Sequence, residues 1–438
     1  MTSQDLPPNW SLMTMAQVLR TLPNGKLIEQ GWSPQCHNQP SSDGESWGVL
    51  KTTAIQPGEF LGEHNKRLPE DLTPKPSLEV LAGDLLLTCA GPRARCAIPC
   101  LVKSTRPRLM ISGKIYRFRT DESVMDPRFL ELFLLTPGAQ KSLDSLKTGI
   151  SESGLNLTQS RFLGLEVVVP ELEEQRRIVD ILEDHLSRLD AADGELNNAL
   201  RRASTLRNAV VRAELARFDG PLRTIHQLSD SVRNGIFVSR AKAEPNGVPI
   251  LRIGAVRPLS LDLGDLRYSE RDELDLQQED SLLAPGDLLF TRYNGNPRFV
   301  GACAVVPEIA GPLTYPDKLI RVRITAREAV PEYVALACTV GPGREQIHSH
   351  VKTTSGQAGI SGRDLKAVTL VVPSIAQQQL VVVAAHERLD AVAELSKMLS
   401  VSARRCGSLR RSLLAAAFSG RLTGRISDME MVEEMAGV

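Results

Sequence analysis

Residues 167–179 read VVVPELEEQRRIV, and this stretch joins two kinds of secondary structure. Its three valines are typical of a β-strand, and the Glu- and Gln-containing segment after Pro170 is typical of a helix start. Residues 370–382 read LVVPSIAQQQLVV and repeat the junction at Pro373. Because proline lacks the N–H that would be unpaired in a first helical turn, we expect each proline to occupy the first helical position. The chain therefore makes the same strand-to-helix transition twice.

The repetition extends well beyond this junction. Pro170 and Pro373 lie 203 residues apart, and nearly the same offset aligns three further pairs of segments. These pairs are LAGDLLLT at 81–88 with APGDLLFT at 284–291, KIYRFR at 114–119 with KLIRVR at 318–323, and FDGPL at 218–222 with FSGRL at 418–422. Matches at one spacing across half a chain indicate an internal repeat. We interpret the sequence as two copies of one unit, each of which ends in a long helix.

Each copy has the pattern of a mixed domain. Short apolar runs broken by glycine and proline predict strands and turns, and one short helical segment lies in each copy, at 126–135 and at 330–340. A Gly- and Ser-rich loop and a last strand then lead into the proline. We therefore predict an α+β fold in which two mixed β domains with short helices are each followed by a long helix.

The two long helices carry residues at the 4-3 spacing of a coiled coil. In the second helix the stripe is regular and consists of Leu395, Leu399, Ser402, Cys406, Leu409, Leu413 and Ala416. In the first helix it is less regular, because Asp193 and Arg207 interrupt Leu189, Leu196, Leu200, Ala203 and Val210. A lone helix of this length needs a partner for its stripe, and the helix of the other copy is the obvious one. Ordinary packing inside a globular core is the alternative.

Length and composition bound the class of protein. The chain has 438 residues, of which 42% are hydrophobic, so more than one sizeable core can form. With 52 basic and 52 acidic residues the formal net charge is zero, and any positive surface must be local. The seven cysteines are scattered, which is typical of reduced thiols. Without a membrane-length apolar run or a signal-peptide pattern, we expect a cytoplasmic protein with no membrane partner.

The ordered set of motifs, present twice, resembles the specificity subunit of type I restriction–modification systems. The resemblance spans nearly the whole sequence. It rests on the GDLL(L/F)T strand, the Gly/Ser loop with a strand ending at VVP, and the Gln-containing helix start with its distal FxGxL. It implies that each copy is a target recognition domain that reads one half of a bipartite DNA site. It also implies that the two long helices pair as an antiparallel coiled coil, which fixes the distance between the half-sites.

The resemblance further implies a division of labour between subunits. This chain would be a non-catalytic scaffold that binds double-stranded DNA and two methyltransferase subunits, and restriction or translocase subunits are further partners that the family allows. The methyltransferase would use S-adenosylmethionine, whereas this chain would bind no cofactor. The implied division of the chain is recognition domains at 1–170 and 218–372, helices at 171–217 and 373–424, and an acidic tail at 425–438.

The first copy holds a basic run with no acidic residue between Arg93 and Arg119. Such a run suits DNA phosphates, and a solvated basic face without a ligand is the alternative. The alternation in KIYRFR indicates a strand, so its basic residues need not all point at DNA. The predicted DNA contacts of this run are Arg93, Arg95, Lys103, Arg106, Arg108 and Lys114.

In the second copy the loop after GDLLFT reads RYNGNPRF. Arginine pairs bidentately with guanine and asparagine with adenine, but Asn-Gly and Asn-Pro are also turn formers. The equivalent loop of the first copy, CAGPRARC, has different side chains, as two different half-sites require. The predicted DNA contacts of the second copy are Arg292, Tyr293, Asn294, Asn296, Arg298 and, from its Gly/Ser loop, Lys352. The predicted partner-binding residues, at the two helix starts, are Gln175, Arg176, Gln378 and Gln379.

Sequence motifs for catalysis and for cofactor binding are absent. The chain contains no GxxxxGK[ST], GxGxxG, HExxH or (D/N)PP(Y/F) segment. Cys89, Cys96 and Cys100 lack the paired spacing of a zinc site, so we expect no bound metal. Two rival functions remain, a coiled-coil adaptor that binds only proteins and a nuclease.

Overall fold

The structure, a computed structural model, describes residues 7, 9–42, 44–149, 151–237, 247–270, 272–325, 327–354, 357–422 and 427–437. Two compact units are formed, a first unit of Met1–Asn197 with Ser400–Val438 and a second unit of Asn198–Leu399. Each unit thus contains one recognition region, defined as the part of a copy that precedes its long helix, and a part of both long helices.

The first copy contains strands, short helices and one long helix. Its strands are β1 (Ser11–Thr14), β2 (Glu29–Gln30), β3 (Gly48–Leu50), β4 (Ile55–Gln56), β5 (Glu59–Phe60), β6 (Asn65–Arg67), β7 (Leu85–Thr88), β8 (Ala90–Gly91), β9 (Pro99–Leu101), β10 (Leu109–Met110), β11 (Ile115–Phe118), β12 (Leu155–Asn156) and β13 (Glu166–Val169). Its helices are α1 (Met15–Val18), α2 (Pro127–Leu135), α3 (Pro137–Leu146), α4 (Gln159–Leu163) and the long helix α5 (Leu172–Leu215).

The second copy follows the same order. Its strands are β14 (Leu222–Thr224), β15 (Ser229–Asn234), β16 (Val248–Leu251), β17 (Val256–Arg257), β18 (Ser260–Leu261), β19 (Leu266–Ser269), β20 (Leu288–Thr291), β21 (Tyr293–Asn294), β22 (Cys303–Val305), β23 (Leu319–Ile324), β24 (Lys352–Thr354), β25 (Gln357–Gly359) and β26 (Thr369–Val371). Its helices are α6 (Glu273–Gln278), α7 (Pro331–Thr339), α8 (Gly341–Ser349), α9 (Gly362–Ala367), the long helix α10 (Ile375–Ala417) and α11 (Ser427–Ala436).

Both recognition regions contain the same four-stranded antiparallel sheet. The strand order is β2-β11-β7-β9 in the first copy and β15-β23-β20-β22 in the second. The GDLL strand is an inner strand in both, with Thr88 opposite Ile115 and Thr291 opposite Leu319. Because side chains alternate along a strand, the equal register places equivalent residues on the same face. The repeat in the sequence is therefore a repeat of the fold.

One face of each sheet is covered by apolar side chains. In the first copy the rings of Phe118 and Phe162 lie 5.3 Å apart in the core, and in the second copy Phe290 packs in a core with Val334. Full burial of one such side chain contributes about 1.5–3 kcal/mol to the stability of the folded state. Packing against these cores fixes the position of each sheet and therefore of the loops that follow β7 and β20.

Helices α5 and α10 begin two residues after their prolines, so the expectation that proline occupies the first helical position is wrong. The carbonyl groups of Glu171 and Ser374 accept the first helical hydrogen bonds, from the backbone N–H groups of Gln175 and Gln378, both at 2.9 Å. The prolines lie before these capping residues, and their own carbonyl groups accept side-chain hydrogen bonds from the same two glutamines.

Helix α5 carries a continuous coiled-coil seam. Its buried and half-buried residues follow 4-3 spacing through Leu182, Leu186, Leu189, Asp193, Leu196, Leu200, Ala203, Arg207, Val210 and Glu214. The predicted stripe of this helix is confirmed, and Asp193 and Arg207 lie within the seam.

Helix α10 carries a seam that is displaced from the predicted stripe. The buried and half-buried positions are Ala385, Leu389, Val392, Ser396, Leu399, Ala403, Cys406, Arg410, Leu413 and Ala417. Leu395 and Ser402 are exposed, so the predicted stripe is wrong at these two positions. Leu399, Cys406 and Leu413 lie in the seam, and Leu409 and Ala416 are half-buried and buried beside it. The helix has a second set of apolar residues on its outer face, and periodicity alone could not separate the two sets.

The long helices pair in antiparallel orientation within each unit. In the first unit Asp190 pairs with Arg410, and Arg177 donates to the carbonyl oxygen of Leu422 at 3.1 Å, so the residue numbers rise along one helix and fall along the other. In the second unit Glu214 of α5 pairs with Arg388 of α10. The predicted antiparallel coiled coil is confirmed. No helix within the described ranges combines the length and the apolar character that crossing a membrane requires.

The predicted acidic tail contains helix α11. Val432 is fully buried and belongs to the core of the first unit, whereas Glu430, Glu433 and Glu434 are exposed. The acidic residues thus form the outer side of a packed amphipathic helix, because its apolar residues have a core to join.

Candidate nucleic-acid interface

A Gly-Asp turn precedes β7 and β20 and aims both inner strands in the same way. Gly83 and Gly286 have φ angles of +86° and +84°, in the left-handed region that glycine adopts without strain. The carboxylate of Asp84 accepts the backbone N–H of Leu81 at 2.8 Å, and Asp287 makes the equivalent bond at 2.8 Å. The loops that follow the two strands therefore start from equivalent positions.

The arginines of KIYRFR and KLIRVR hold these turns and do not form a basic surface. Arg119 donates to Asp84 at 2.6 Å, and Arg323 donates to Asp287 at 2.8 Å. Two residues earlier on each strand, Arg117 is buried and pairs with Glu29, and Arg321 is fully buried. A buried charge is tolerated only when it is paired and hydrogen-bonded, so these arginines are committed to the fold.

In the second copy a partly exposed carboxylate, that of Asp280, joins this network. Asp280 accepts from Arg321 at 2.7 Å and from Arg323 at 3.2 Å. The hydrogen bond from Arg321 holds the pKa of Asp280 below its usual value, so Asp280 stays ionised at neutral pH. The network neutralises the positive charge of the sheet from within.

The basic run of the first copy is free of acids in sequence but not in space. Arg93 pairs with Asp144 at 2.5 Å and with Glu152 at 2.6 Å. Arg95 is half-buried and donates to the carbonyl oxygens of Thr52 and Ile55 at 2.6 and 2.8 Å. Neighbouring segments thus supply acceptors for both side chains, and their predicted contact with phosphates stays a prediction.

The other basic residues of the run differ in availability. Arg106 donates to the carbonyl oxygen of Ser41 at 2.7 Å, and Arg108 donates to that of Glu45, so both tie loops together. Lys103 is exposed and lies 3.5 Å from Glu183. Lys114 is exposed as well, and no described residue pairs with its ammonium group. Of the predicted set, Lys114 is exposed without a described partner, Lys103 is exposed beside Glu183, and Arg93 and Arg108 are exposed but hydrogen-bonded.

In the second copy Arg292 and Tyr293 stack at the root of the loop. The guanidinium of Arg292 lies 4.7 Å from the ring centroid of Tyr293, and Lys318 lies 5.2 Å from it. Arg292 also donates to the carbonyl oxygen of Asp317 at 3.3 Å. A Cβ atom at Gly359 would come within 2.4 Å of the tyrosine ring, which explains why glycine lies opposite β21. This stacking supports the loop from below.

The two asparagines of the loop act as turn formers. The side-chain oxygen of Asn294 accepts the backbone N–H of Asn296 at 2.9 Å, and that of Asn296 accepts the N–H of Arg298 at 3.1 Å. These bonds occupy one lone pair of each oxygen and leave both amide NH₂ groups available. Arg298 is exposed at the tip, and no partner for its guanidinium occurs among the described residues.

The loop platforms are equivalent although their side chains differ. In the first copy β8 pairs with β12, and in the second β21 pairs with β25, which also pairs with β24. Lys352 on β24 is exposed, whereas the corresponding Lys147 pairs with Asp144 at 2.9 Å. The structure thus brings Arg292, Tyr293, Asn294, Asn296 and Arg298 together on one loop.

The two glutamines at equivalent positions of the repeat have structural roles. Gln175 and Gln378 are 0% exposed, so the prediction that they contact a partner subunit is wrong. Gln175 donates to Pro170 at 2.8 Å and accepts the N–H of Asp126 at 2.9 Å. Gln378 donates to Pro373 at 2.8 Å and accepts the N–H of the residue that caps α7, Val330, at 2.8 Å.

The glutamines thus lock each long helix to a short helix of the same recognition region. This role was missed in the sequence, although the equivalent placement of both glutamines after the strand-ending proline was the available signal. The adjacent predicted residues, Arg176 and Gln379, are exposed on the first turns of α5 and α10. They remain accessible to a partner.

The cysteines of the first copy are uncharged core residues. Burial raises the pKa of Cys89 to about 12 and also raises the pKa of Cys96, so both thiols are protonated at neutral pH. Over the part of the chain that the structure covers, no three His, Cys, Asp or Glu side chains are grouped as metal ligands.

Comparison with known proteins identifies the family. Residues 107–202 match the family model of the type I restriction modification DNA specificity domain. The chain is 32% identical over 319 residues to the EcoKI specificity subunit of Escherichia coli K12, which covers 69% of this chain and 67% of that one. It is 24% identical over 393 residues to the StySPI specificity subunit of Salmonella potsdam, covering 86% of this chain and 82% of that one.

The fold has a counterpart among solved structures. One solved chain comes from a structure on complex assembly and conformational transition of the type I R-M system. It superposes on this chain with a TM-score of 0.70 at 19% identity, and the match covers 95% of this chain and 99% of that one. The similarity to that chain concerns the fold, and the sequence relation to the EcoKI subunit concerns the family. On the sequence relation the chain belongs to the specificity subunits of type I restriction enzymes.

Proposed function

We propose that this chain reads a bipartite site in double-stranded DNA, one half with each recognition region. The observation that carries the proposal is the pair of equivalent four-stranded sheets, which are followed by loops of different sequence. The sheets share their strand order and register, and the loops CAGPRARC and RYNGNPRF start from the same position. Side chains that vary on a constant frame are what two different base sequences require.

The accessible side chains divide into two kinds of contact. Lys103, Lys114 and Lys352 are exposed ammonium groups suited to phosphates, which position a protein without reading bases. Arg298 and the free amide of Asn296 lie at a loop tip and have the donors that base edges accept. Arg292 and Tyr293 stack at the root of that loop, and we propose that they contact DNA there.

The chain is further proposed to act as a non-catalytic scaffold in the cytoplasm. Two modification subunits, with S-adenosylmethionine as their cofactor, would carry out methylation, and restriction subunits would join the same assembly. Exposed Arg176 and Gln379 support a docking role for the helix starts. Leu395 and Met398 of α10, 44% and 60% exposed, support a second apolar contact along the helix.

A region exchange tests the proposal. Replacing the second recognition region, residues 221–372, with that of another specificity subunit should change one half of the methylated motif and leave the other intact. The matched control exchanges the first region, residues 9–169, and should change the opposite half. Sequencing of modified DNA from cells that also express the modification subunit gives the readout. An unchanged motif, or a change in both halves from one exchange, would contradict the proposed division.

A protein-only adaptor is the second candidate, and the exposed apolar residues of α10 favour it. Binding of the assembled complex to duplex DNA at increasing salt separates the two functions. A specificity subunit should prefer its own site over a scrambled duplex at every salt concentration, whereas an adaptor should show no preference.

A further inference from the structure

Helix α11 packs lengthwise on the coiled coil of the first unit. Near its start the buried Asp428 lies close enough to Arg177 of α5 for their charges to interact. At its end the hydroxyl of Ser408 on α10 donates to the carbonyl oxygen of Ala436 at 3.3 Å. Val432, between these points, is fully buried. α11 is thus a third helix that is hydrogen-bonded to α10 and carries a charge near the start of α5.

The equivalent surface of the second unit is uncovered. At the repeat offset of 203 residues, Leu409 corresponds to Leu206, and Arg177 corresponds to Leu380. Leu409 is half-buried against the core of the first unit, whereas Leu206 is 47% exposed. Leu380 and Val383 are 56% and 57% exposed on the first turns of α10. Apolar side chains grouped on an exposed helix face mark a place where another helix packs.

The chemistry of α11 indicates what fits the uncovered surface. α11 is an amphipathic helix whose Val432 side enters the core while Glu430, Glu433 and Glu434 face solvent. On the second unit, aliphatic Leu380 stands at the position of Arg177, which lies near Asp428 of α11, and Val383 stands at the position of the exposed Asp180. This surface is therefore more apolar than its counterpart in the first unit. A helix with an apolar stripe would gain more from burial at this surface.

We propose that α11 is a built-in cap on one of two equivalent helix-binding surfaces, so that two copies of the same partner bind unequally. The inference rests on the proposed scaffold function. The open surface of the second unit, formed by Leu206, Leu380 and Val383, takes an amphipathic helix of the first modification subunit. The second modification subunit binds at the first unit only after it displaces α11.

The experiment is a titration of the full-length chain with purified modification subunit, followed by sedimentation and calorimetry. Two binding steps are expected, separated by at least about tenfold in dissociation constant. Ending the chain after Leu422 should strengthen the second step by about ten- to hundredfold and leave the first unchanged, since a helix anchored by one buried valine and a few contacts must no longer be displaced. Leu380→Asp with Val383→Asp should weaken the first step instead.

Matched variants separate docking from folding. Val432→Glu in the full-length chain should act like the truncation. If Val432→Glu lowers the melting temperature, Met435→Glu, at a position 39% exposed, replaces it and should act in the same direction more weakly. Glu433→Gln on the outer side of α11 and Leu274→Asp, at an exposed leucine of α6, should change neither step.

The outcomes distinguish the two proposals. Equal binding steps in the full-length chain, or an unchanged second step after removal of α11, would overturn the cap while leaving the scaffold function intact. A dimer of the chain alone that requires Leu380 would also overturn it, because the open surface would then belong to a second copy. If a folded chain binds no modification subunit with or without α11, the proposed scaffold function itself fails.

Discussion

At the scale of single residues, the buried carboxylates of the recognition regions have two fates. Asp84 and Asp287 pair with arginines and close the turns that aim β7 and β20. Among the described residues no arginine pairs with Glu131 of α2, which accepts the backbone N–H of Leu101 at 2.5 Å. Burial therefore raises the pKa of Glu131 to about 7.

This shift makes the stability of the first unit depend on pH. A glutamate in an unfolded chain titrates near ~4.3, so the folded state binds the proton more tightly. The stabilising contribution is present below about pH 4 and is lost as the pH rises towards 7. We predict that Glu131→Gln, which keeps an acceptor for Leu101, raises the free energy of unfolding at pH 8 by about 1–3 kcal/mol and changes it little at pH 4.5.

Urea unfolding at the two pH values checks this prediction. Glu122→Gln, at an exposed position just before α2, is the control and should have no effect at either pH. An equal gain for Glu131→Gln at pH 4.5 and pH 8 would show that ionisation is not the cause.

The sequence predicted the positions of the recognition loops better than the roles of their side chains. The internal repeat placed both loops after the GDLL strand, because strand and turn patterns are local. It could not show that Arg93 pairs with Asp144, 51 residues away, or that Arg95 donates to the carbonyl of Thr52, 43 residues away. Such partners are set by tertiary packing, which brings acceptors to a run that contains none.

At the scale of elements, the starts of α5 and α10 show how a recognition region is joined to its long helix. One buried glutamine side chain bonds to the carbonyl of the preceding proline and to the capping residue of α2 or α7. Two segments that lie 49 residues apart in the first copy and 48 in the second are thereby joined, and the direction of the long helix is fixed relative to its own recognition region.

Removing this lock should cost stability without touching a surface. We predict that Gln378→Leu lowers the free energy of unfolding by about 2–4 kcal/mol, because the N–H of Val330 and the carbonyl of Pro373 each lose a buried partner at about 1–3 kcal/mol. Gln379→Leu, at the exposed neighbouring position, should change it by less than about 0.5 kcal/mol. Thermal unfolding of both variants gives the comparison, and equal losses would mean that Gln378 is not a special contact.

The coiled coil could be predicted from the sequence in α5 but only in part in α10. In α5 the buried seam follows the predicted stripe, and the interrupting Asp193 and Arg207 lie within it. In α10 an exposed leucine at 395 competes with the buried Val392, and spacing alone favours neither. Only the position of the partner helix decides which apolar face is covered, and that information lies in the other half of the chain.

At the scale of the whole molecule, both long helices pass from one compact unit into the other. If the coiled coil sets the distance between half-sites, a lengthened coil must lengthen the unread spacer. A change in only one helix would break the seam, because each heptad must face its partner. Asp190 and Arg410 pair between the two helices in the first unit. Because the helices are antiparallel, Glu195 and Arg405, each five residues from that pair, are matched positions for an insertion.

Inserting seven residues after Glu195 together with seven after Arg405 keeps both seams in register. The insertion adds about 10 Å of helix, so the spacer of the methylated motif should grow by about three base pairs with both half-sites unchanged. Inserting seven residues in α5 alone is the control and should abolish specific methylation. An unchanged spacer in the double insertion would exclude the coil as the ruler.

The first unit is closed by the last part of the chain. Phe418 lies 4.8 Å from Phe129 and 5.6 Å from Phe133, ring centroid to ring centroid, although nearly three hundred residues separate them in sequence. A ribosome makes the N-terminal recognition region first, yet it must finish the whole of the second unit before Phe418 emerges. Until then the nascent chain carries an unfilled apolar gap beside α2, which is a site for chaperone binding and proteolysis. A prematurely terminated message should therefore yield a product that is cleared, because the part of its core that contains Phe418 was still to be translated.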